Sequence, residues 1–215
     1  MDLTKRLTKE VHRLRLLYLY PSGLTEPLID AILATKVPYF DLSLQHVSRA
    51  HLRRMNRWGD GERFLERIAA IRAAEPNATF RSSFILGYPG ETEDDHTQLL
   101  EFLAAAQLDW VGFFPYSAEQ GTSAATMPDQ IPLPLAMERL REASEAQDLI
   151  TARRRDDMVG QEYEVLIDRP GVGRTVKECP EIDGVVFVPS RLPVGTLVRC
   201  RITGSRGTDL EAEVL

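Results

Sequence analysis

Four times between residues 14 and 115 a short apolar run is followed by a longer segment with helical character, and this alternation limits the fold more than any other feature. The apolar runs are residues 14–20 (LRLLYLY), 39–44 (YFDLSL), 79–86 (TFRSSFIL) and 109–115 (DWVGFFP). Each has strand length and ends at proline, glycine or a polar residue. The helical segments between them carry start and stop signals. TEPLIDAILA opens on Thr25 with an early acid and proline, and Ser48 can cap the basic HLRRM turn. ERFLERIAAIRAA runs until Pro76, and Thr92 with Asp95 three residues on forms a capping box ahead of QLLEFLAAA. A turn-rich loop then leads into the long segment LAMERLREASEAQDLITARRRDD. Strand–helix units in series require parallel strands joined by right-handed crossovers.

The pattern changes after Gly160. EYEVLIDR, a segment near GRTVK, DGVVFV, TLVRCRIT and DLEAEVL are short, β-branched and separated by glycine and proline. Such spacing predicts a small antiparallel barrel. The expected architecture is α/β: a partial (β/α) barrel of about four parallel units over residues 1–156, then an all-β barrel over 157–215.

Charge narrows the partners. The formal net charge is −6, which opposes nucleic-acid binding through bulk charge and favours a basic partner. No apolar stretch approaches the ~20 residues that span a bilayer, and MDLTKRLTKEVHRL has no signal-peptide core, so a cytoplasmic chain without a membrane partner is expected. Cys179 and Cys200 lack metal-ligand spacing and are expected as packed residues.

RSSFILGYPGETEDD is the most informative segment, because a strand delivers Gly87, Pro89 and Gly90 to its C-terminal tip and an acid-capped helix follows. Glycines there let backbone approach a ligand closely, although a tight βα turn alone would also use them. Gln45–His46 ends one strand, Tyr116, Ser117 and Glu119 follow another, and LYLYPSGLT ends a further one. Polar and aromatic groups thus gather at one end of the sheet, where sites of barrel-like α/β proteins lie. Arg81, inside an apolar strand, needs an anion: either a ligand or an internal acid such as Asp41.

The series LYLYPSGLT, YFDLSLQHVS, LRRMNR, RSSFILGYPGETEDD, DWVGFFPYSAEQGTSAATMPDQIP and ECPEIDGVVFV, in that order, resembles the RimO family of radical-SAM methylthiotransferases over nearly the whole chain. The resemblance implies a radical-SAM core followed by a TRAM domain. It implies S-adenosylmethionine and 4Fe-4S clusters as cofactors, and insertion of a methylthio group at the β-carbon of an aspartate in a basic small-subunit ribosomal protein. By motif position, Gly87, Pro89 and Gly90 would contact S-adenosylmethionine, Arg81 and Gln45 would face the same cleft, and Tyr116 would lie near the adenine. The family's CxxxCxxC motif has no counterpart here. The resemblance therefore implies a fragment, a truncated reading frame or one half of a split enzyme, inactive alone, with a separate N-terminal half as an expected partner.

The small domain carries ten acids against seven bases from Asp157 onward, which favours a basic ribosomal protein over RNA as the surface it meets, with Phe187 assigned to the core. Two alternatives stay open: a tRNA methylthiotransferase, and a non-catalytic fragment that keeps only substrate-binding surfaces. Unpaired strand edges in a partial barrel predict association.

Overall fold

A computed structural model describes residues 2–215. The chain forms two compact units: one combines residues up to Arg15 with Ala31–Tyr39 and Asp148–Leu215, the other holds Leu16–Asp30 and Phe40–Gln147. In chain order the elements are α1 (Asp2–Glu10), α2 (Glu26–Leu33), β1 (Tyr39–Gln45), α3 (Arg49–Arg54), α4 (Gly61–Ala74), β2 (Thr79–Leu86), α5 (Glu93–Ala106), β3 (Trp110–Pro115) and α6 (Leu133–Asp156). β4 (Glu162–Arg169), β5 (Val172–Arg174), β6 (Val186–Phe187), β7 (Leu197–Arg206) and β8 (Asp209–Val214) follow.

In the unit that holds most of the sheet, the strands lie in the order β1-β2-β3. β2 and β3 run parallel, from Arg81 opposite Trp110 to Leu86 opposite Pro115. Alternation divides each strand between two faces. Phe80, Phe84 and Leu86 of β2 are buried with Phe40, Leu42 and Leu44 of β1, and with Phe64, Ile68 and Ile71 of α4 and Phe102 and Leu103 of α5. Phe84 meets Phe102 edge-on with ring centres 5.9 Å apart, and Phe40 stacks on Phe80 at 5.4 Å. The opposite face is polar: Asp41, Ser43 and Gln45 stand beside Arg81 and Ser83, and most of these are only half-buried. The helix starts follow the sequence signals. Thr92 and Asp95 form the expected capping box on α5, and Asp60 caps α4 through the Arg63 amide. Ser48 stands at the N-cap of α3 without a side-chain cap bond.

The expected first strand, residues 14–20, shrinks to a single parallel bridge between Leu19 and Leu42. The cause is local: Tyr18 adopts φ +58°, which ends extended pairing, and its amide turns to the Asp41 carboxylate instead. The fourth parallel position survives as that bridge.

In the other unit the five short strands close into a barrel, in the order β4-β5-β6-β8-β7. Val165, Ile167, Val186, Cys200, Ile202 and Leu210 fill it, joined by Met158. Gly173 is required by close packing: a Cβ there would meet the Leu166 carbonyl oxygen at 2.5 Å. The barrel departs from the expected all-antiparallel pattern at one pair, because β6 and β8 run parallel. Phe187 departs too; it is 44% exposed, on the outer side of a two-residue strand whose inward position is taken by Val186. Both cysteines are buried, as expected, and burial pushes the Cys200 thiol pKa up. Glu178 is fully buried, accepting from the Thr175 amide and hydroxyl at 2.6 and 2.7 Å and pairing with the buried Arg155. Arg13 donates to the carbonyls of Arg174 and Glu164, and Arg15 to that of Val176, so the segment ahead of the sheet is stitched to barrel strands.

Candidate functional site

At the tip of β2 the chain turns through Gly87, Tyr88, Pro89 and Gly90 before α5 begins. Both glycines sit at φ +77°, a region that side chains oppose. Space reinforces the requirement. A Cβ on Gly87 would stand 2.5 Å from the Cβ of Ala136, and one on Gly90 2.8 Å from an Arg54 guanidinium nitrogen. The turn is closed by the Glu91 amide donating to the Tyr88 carbonyl and by the Gly90 amide donating to the Asp129 carbonyl.

Glu91 ties the turn to the core. It is 5% exposed; its carboxylate accepts the Gly87 amide at 3.0 Å and an Arg139 guanidinium at 2.8 Å, and faces His46 Nε2 at 3.5 Å. Burial alone would push this carboxyl up, but the hydrogen bonds and charges of His46 and Arg139 outweigh it and hold the pKa below the ordinary value. Arg139 is itself buried and spans from Glu91 to Glu93. His46 Nδ1 accepts the Ser48 amide, which leaves Nε2 to carry the proton toward Glu91. His46 stacks on His51 with ring centres 4.7 Å apart. His51 is buried, and its Nε2 accepts from Arg54 at 2.8 Å; desolvation first, then the nearby His46 ring, pushes its pKa down.

Of the expected residues, Gly87, Pro89, Gly90 and Tyr116 meet at this tip. The Tyr116 amide donates to the Leu86 carbonyl, and its ring meets Tyr88 edge-on at 5.3 Å. Its hydroxyl is buried with no hydrogen-bond partner among the described residues, which leaves a donor available to a ligand. Gln45 ends β1 at φ +70° and donates to Ser83 Oγ at 3.1 Å, so it lines the polar face four residues short of Gly87. Arg81 lies lower on that face, six residues or about 20 Å of strand before Gly87. It pairs with Asp41 at 3.1 Å, so an internal acid already meets the need for an anion. His46 is buried in the Glu91 network and is not presented at the tip. Glu91 and Arg139 escaped the sequence reading. An acid four residues after Gly87 was the visible signal for the first, whereas nothing local marks an arginine on α6.

Among the described residues, no group of three or more His, Cys, Asp or Glu side chains could hold a metal ion, and no helix is long and apolar enough to cross a membrane. The two thiols lie buried in the barrel unit. The donor set present therefore does not fit an iron–sulfur cluster, for which thiolates are the usual ligands.

The radical SAM superfamily profile matches residues 1–103, and the TRAM domain profile residues 159–215. A ribosomal protein uS12 methylthiotransferase RimO from Moorella thermoacetica is 44% identical over 94% of this chain and 48% of its own length. Proteins of the same name from Chloroflexus aurantiacus and Desulforudis audaxviator are 42% and 44% identical, over 94% and 100% of this chain and 47% and 50% of their own lengths. The chain thus spans about half the length of the curated relatives it matches. In fold it is similar to coproporphyrinogen III oxidase (HemN) from Escherichia coli, a radical SAM enzyme, with a TM-score of 0.58 at 13% identity over 95% of this chain and 50% of that one. Together with the parallel sheet and the closed five-stranded barrel, these matches show a region of the radical SAM superfamily followed by a TRAM domain, similar over nearly the whole chain to RimO proteins.

Proposed function

We propose that this chain supplies the substrate-side part of a methylthiotransferase that modifies the β-carbon of an aspartate in a small-subunit ribosomal protein. The observation that carries the reading is the identity of 42–44% to RimO proteins over nearly the whole chain. S-adenosylmethionine is the proposed ligand of the β2 tip, and when bound it supplies the hydrogen-abstracting chemistry of the family. The residues' own part is positional. Gly87, Pro89 and Gly90 shape the turn against which the ligand would lie, the Tyr116 hydroxyl offers a buried donor, and Gln45 and Arg81 set the polarity of the adjoining face. Glu91 and Arg139 keep the turn in shape.

The cluster thiolates are proposed to come from polypeptide outside these 215 residues, so the chain alone should not turn over. Residues 157–215 are proposed as the TRAM domain that meets the substrate. Ten acids against seven bases there suit a basic ribosomal protein better than tRNA, and a cytoplasmic setting follows from that substrate.

The test is anaerobic. The 215-residue chain is reconstituted with iron and sulfide, given reductant, S-adenosylmethionine and the ribosomal protein, and assayed by mass spectrometry with and without the N-terminal half of a relative. Product should appear only with that half, on an aspartate of the protein. Turnover by the chain alone, or product only on tRNA, would reject the reading.

A further inference from the structure

The chain is acidic overall, yet residues 48–58 (SRAHLRRMNRW) hold four arginines and no acid. That stretch ends on Trp58, an indole 41% exposed, and the Trp58 amide donates to the hydroxyl of Tyr20, which is 42% exposed. Both rings are flanked by guanidinium groups: Arg57 lies 4.9 Å from the centre of Tyr20 and Arg63 5.5 Å from that of Trp58. The loop is built to hold the indole outward. Gly59 at φ +111° lies so near the Phe64 ring that a Cβ would stand 2.3 Å from it, and Arg57 is anchored on the Ser43 carbonyl at 2.6 Å. Beside Trp58 runs a groove of about 380 Å³, lined also by Arg63, Glu66, Arg67 and Ala70, with Arg63 paired to Asp60 and Arg67 to Glu26.

Exposed rings of this size cost solvation. Aromatic faces give stacking surfaces to any nucleobase, while planar guanidinium groups match phosphate geometry. An acidic peptide would use the arginines but has no need of the rings, and a duplex hides its base faces. We infer that Trp58, Tyr20 and the arginines around them form a stacking site for single-stranded nucleic acid. The inference does not rest on the methylthiotransferase reading.

A fluorescein-labelled 12-nucleotide single-stranded RNA, followed by anisotropy at about 50 mM salt with the full chain, tests it. Affinity should fall with salt with a logarithmic slope near −1.4, for about two phosphates contacted at about −0.7 each. Trp58→Ala should weaken binding about 5- to 150-fold, the range for one stacked base, while Trp58→Phe keeps most of it. Arg63→Glu, at a side chain 46% exposed, should weaken it at least 10-fold and serves if Trp58→Ala does not fold. Three outcomes would overturn the inference: no binding at that salt, loss on Arg199→Glu in the barrel with none on Trp58→Ala or Arg63→Glu, or equal displacement by polyglutamate at matched charge.

Discussion

Replacing Arg139 with methionine isolates the energetic role of the network behind the glycine turn. Methionine fills much of the same volume but leaves Glu91, 5% exposed, without its cation. Removing one partner of a buried ion pair costs about 3–5 kcal/mol, because the remaining charge keeps its desolvation penalty. The second contact of Arg139, to the 74%-exposed side chain of Glu93, adds little, since solvent screens it. Nearly the whole cost should therefore fall on the Glu91 contact. For a chain of 215 residues each kcal/mol lowers Tm by about 2–4 °C, so a fall of about 6–20 °C is expected. Urea unfolding followed by far-ultraviolet circular dichroism would read the loss as a lower midpoint at unchanged slope. A cost under about 1 kcal/mol for Arg139→Met would refute a buried pair that stabilises the turn. An equal cost for Glu93→Gln alone would refute it as well, because the energy would then lie in the exposed pair.

Two further outcomes follow from the same turn. The Glu91 pKa is depressed in the folded chain, so its contribution to stability is full above the ordinary carboxylate range and is lost as pH falls through the folded value; Glu91→Gln should remove that part of the acid limb, measured by Tm from pH 7 down to pH 3. Gly87→Ala should cost about 1–3 kcal/mol from backbone strain and the clash with Ala136, against about 1 kcal/mol for Gly121→Ala, where φ is also positive but no atom lies within 4 Å; equal losses in chemical denaturation would show that packing at Ala136 contributes nothing.

Local signals were legible wherever a local cause sets the structure. The Thr92–Asp95 box, the aromatic strand cores and the Gly87–Gly90 turn depend on residues within a few positions of each other, and these were readable. Residues 14–20 had strand composition, yet extended pairing gave way when Tyr18 turned its amide to Asp41, a tertiary contact that composition does not carry. Arg81 showed a need for an anion but not which one, and Asp41 answers it from 40 residues away. Glu91 and Arg139 meet across 48 residues, His46 is drawn inward by the same network, and the parallel β6–β8 pair depends on how the barrel closes. Phe187 lay in an apolar run whose two-residue strand has only one inward position, a matter of pleat phase that alternation in so short a segment does not fix.

The hydrogen bonds from Arg13 and Arg15 to barrel carbonyls span 161 residues of sequence. During synthesis at about 5–20 residues per second, those two arginines leave the ribosome about 8–30 s before their acceptors exist. The segment around Arg13 thus waits unattached for the barrel strands, and joining them closes a loop whose entropic cost grows as the logarithm of that long interval. Barrel completion should accordingly be a late, slow step in the birth of the protein, and the interval before it a window in which nascent chains are open to chaperones and proteases.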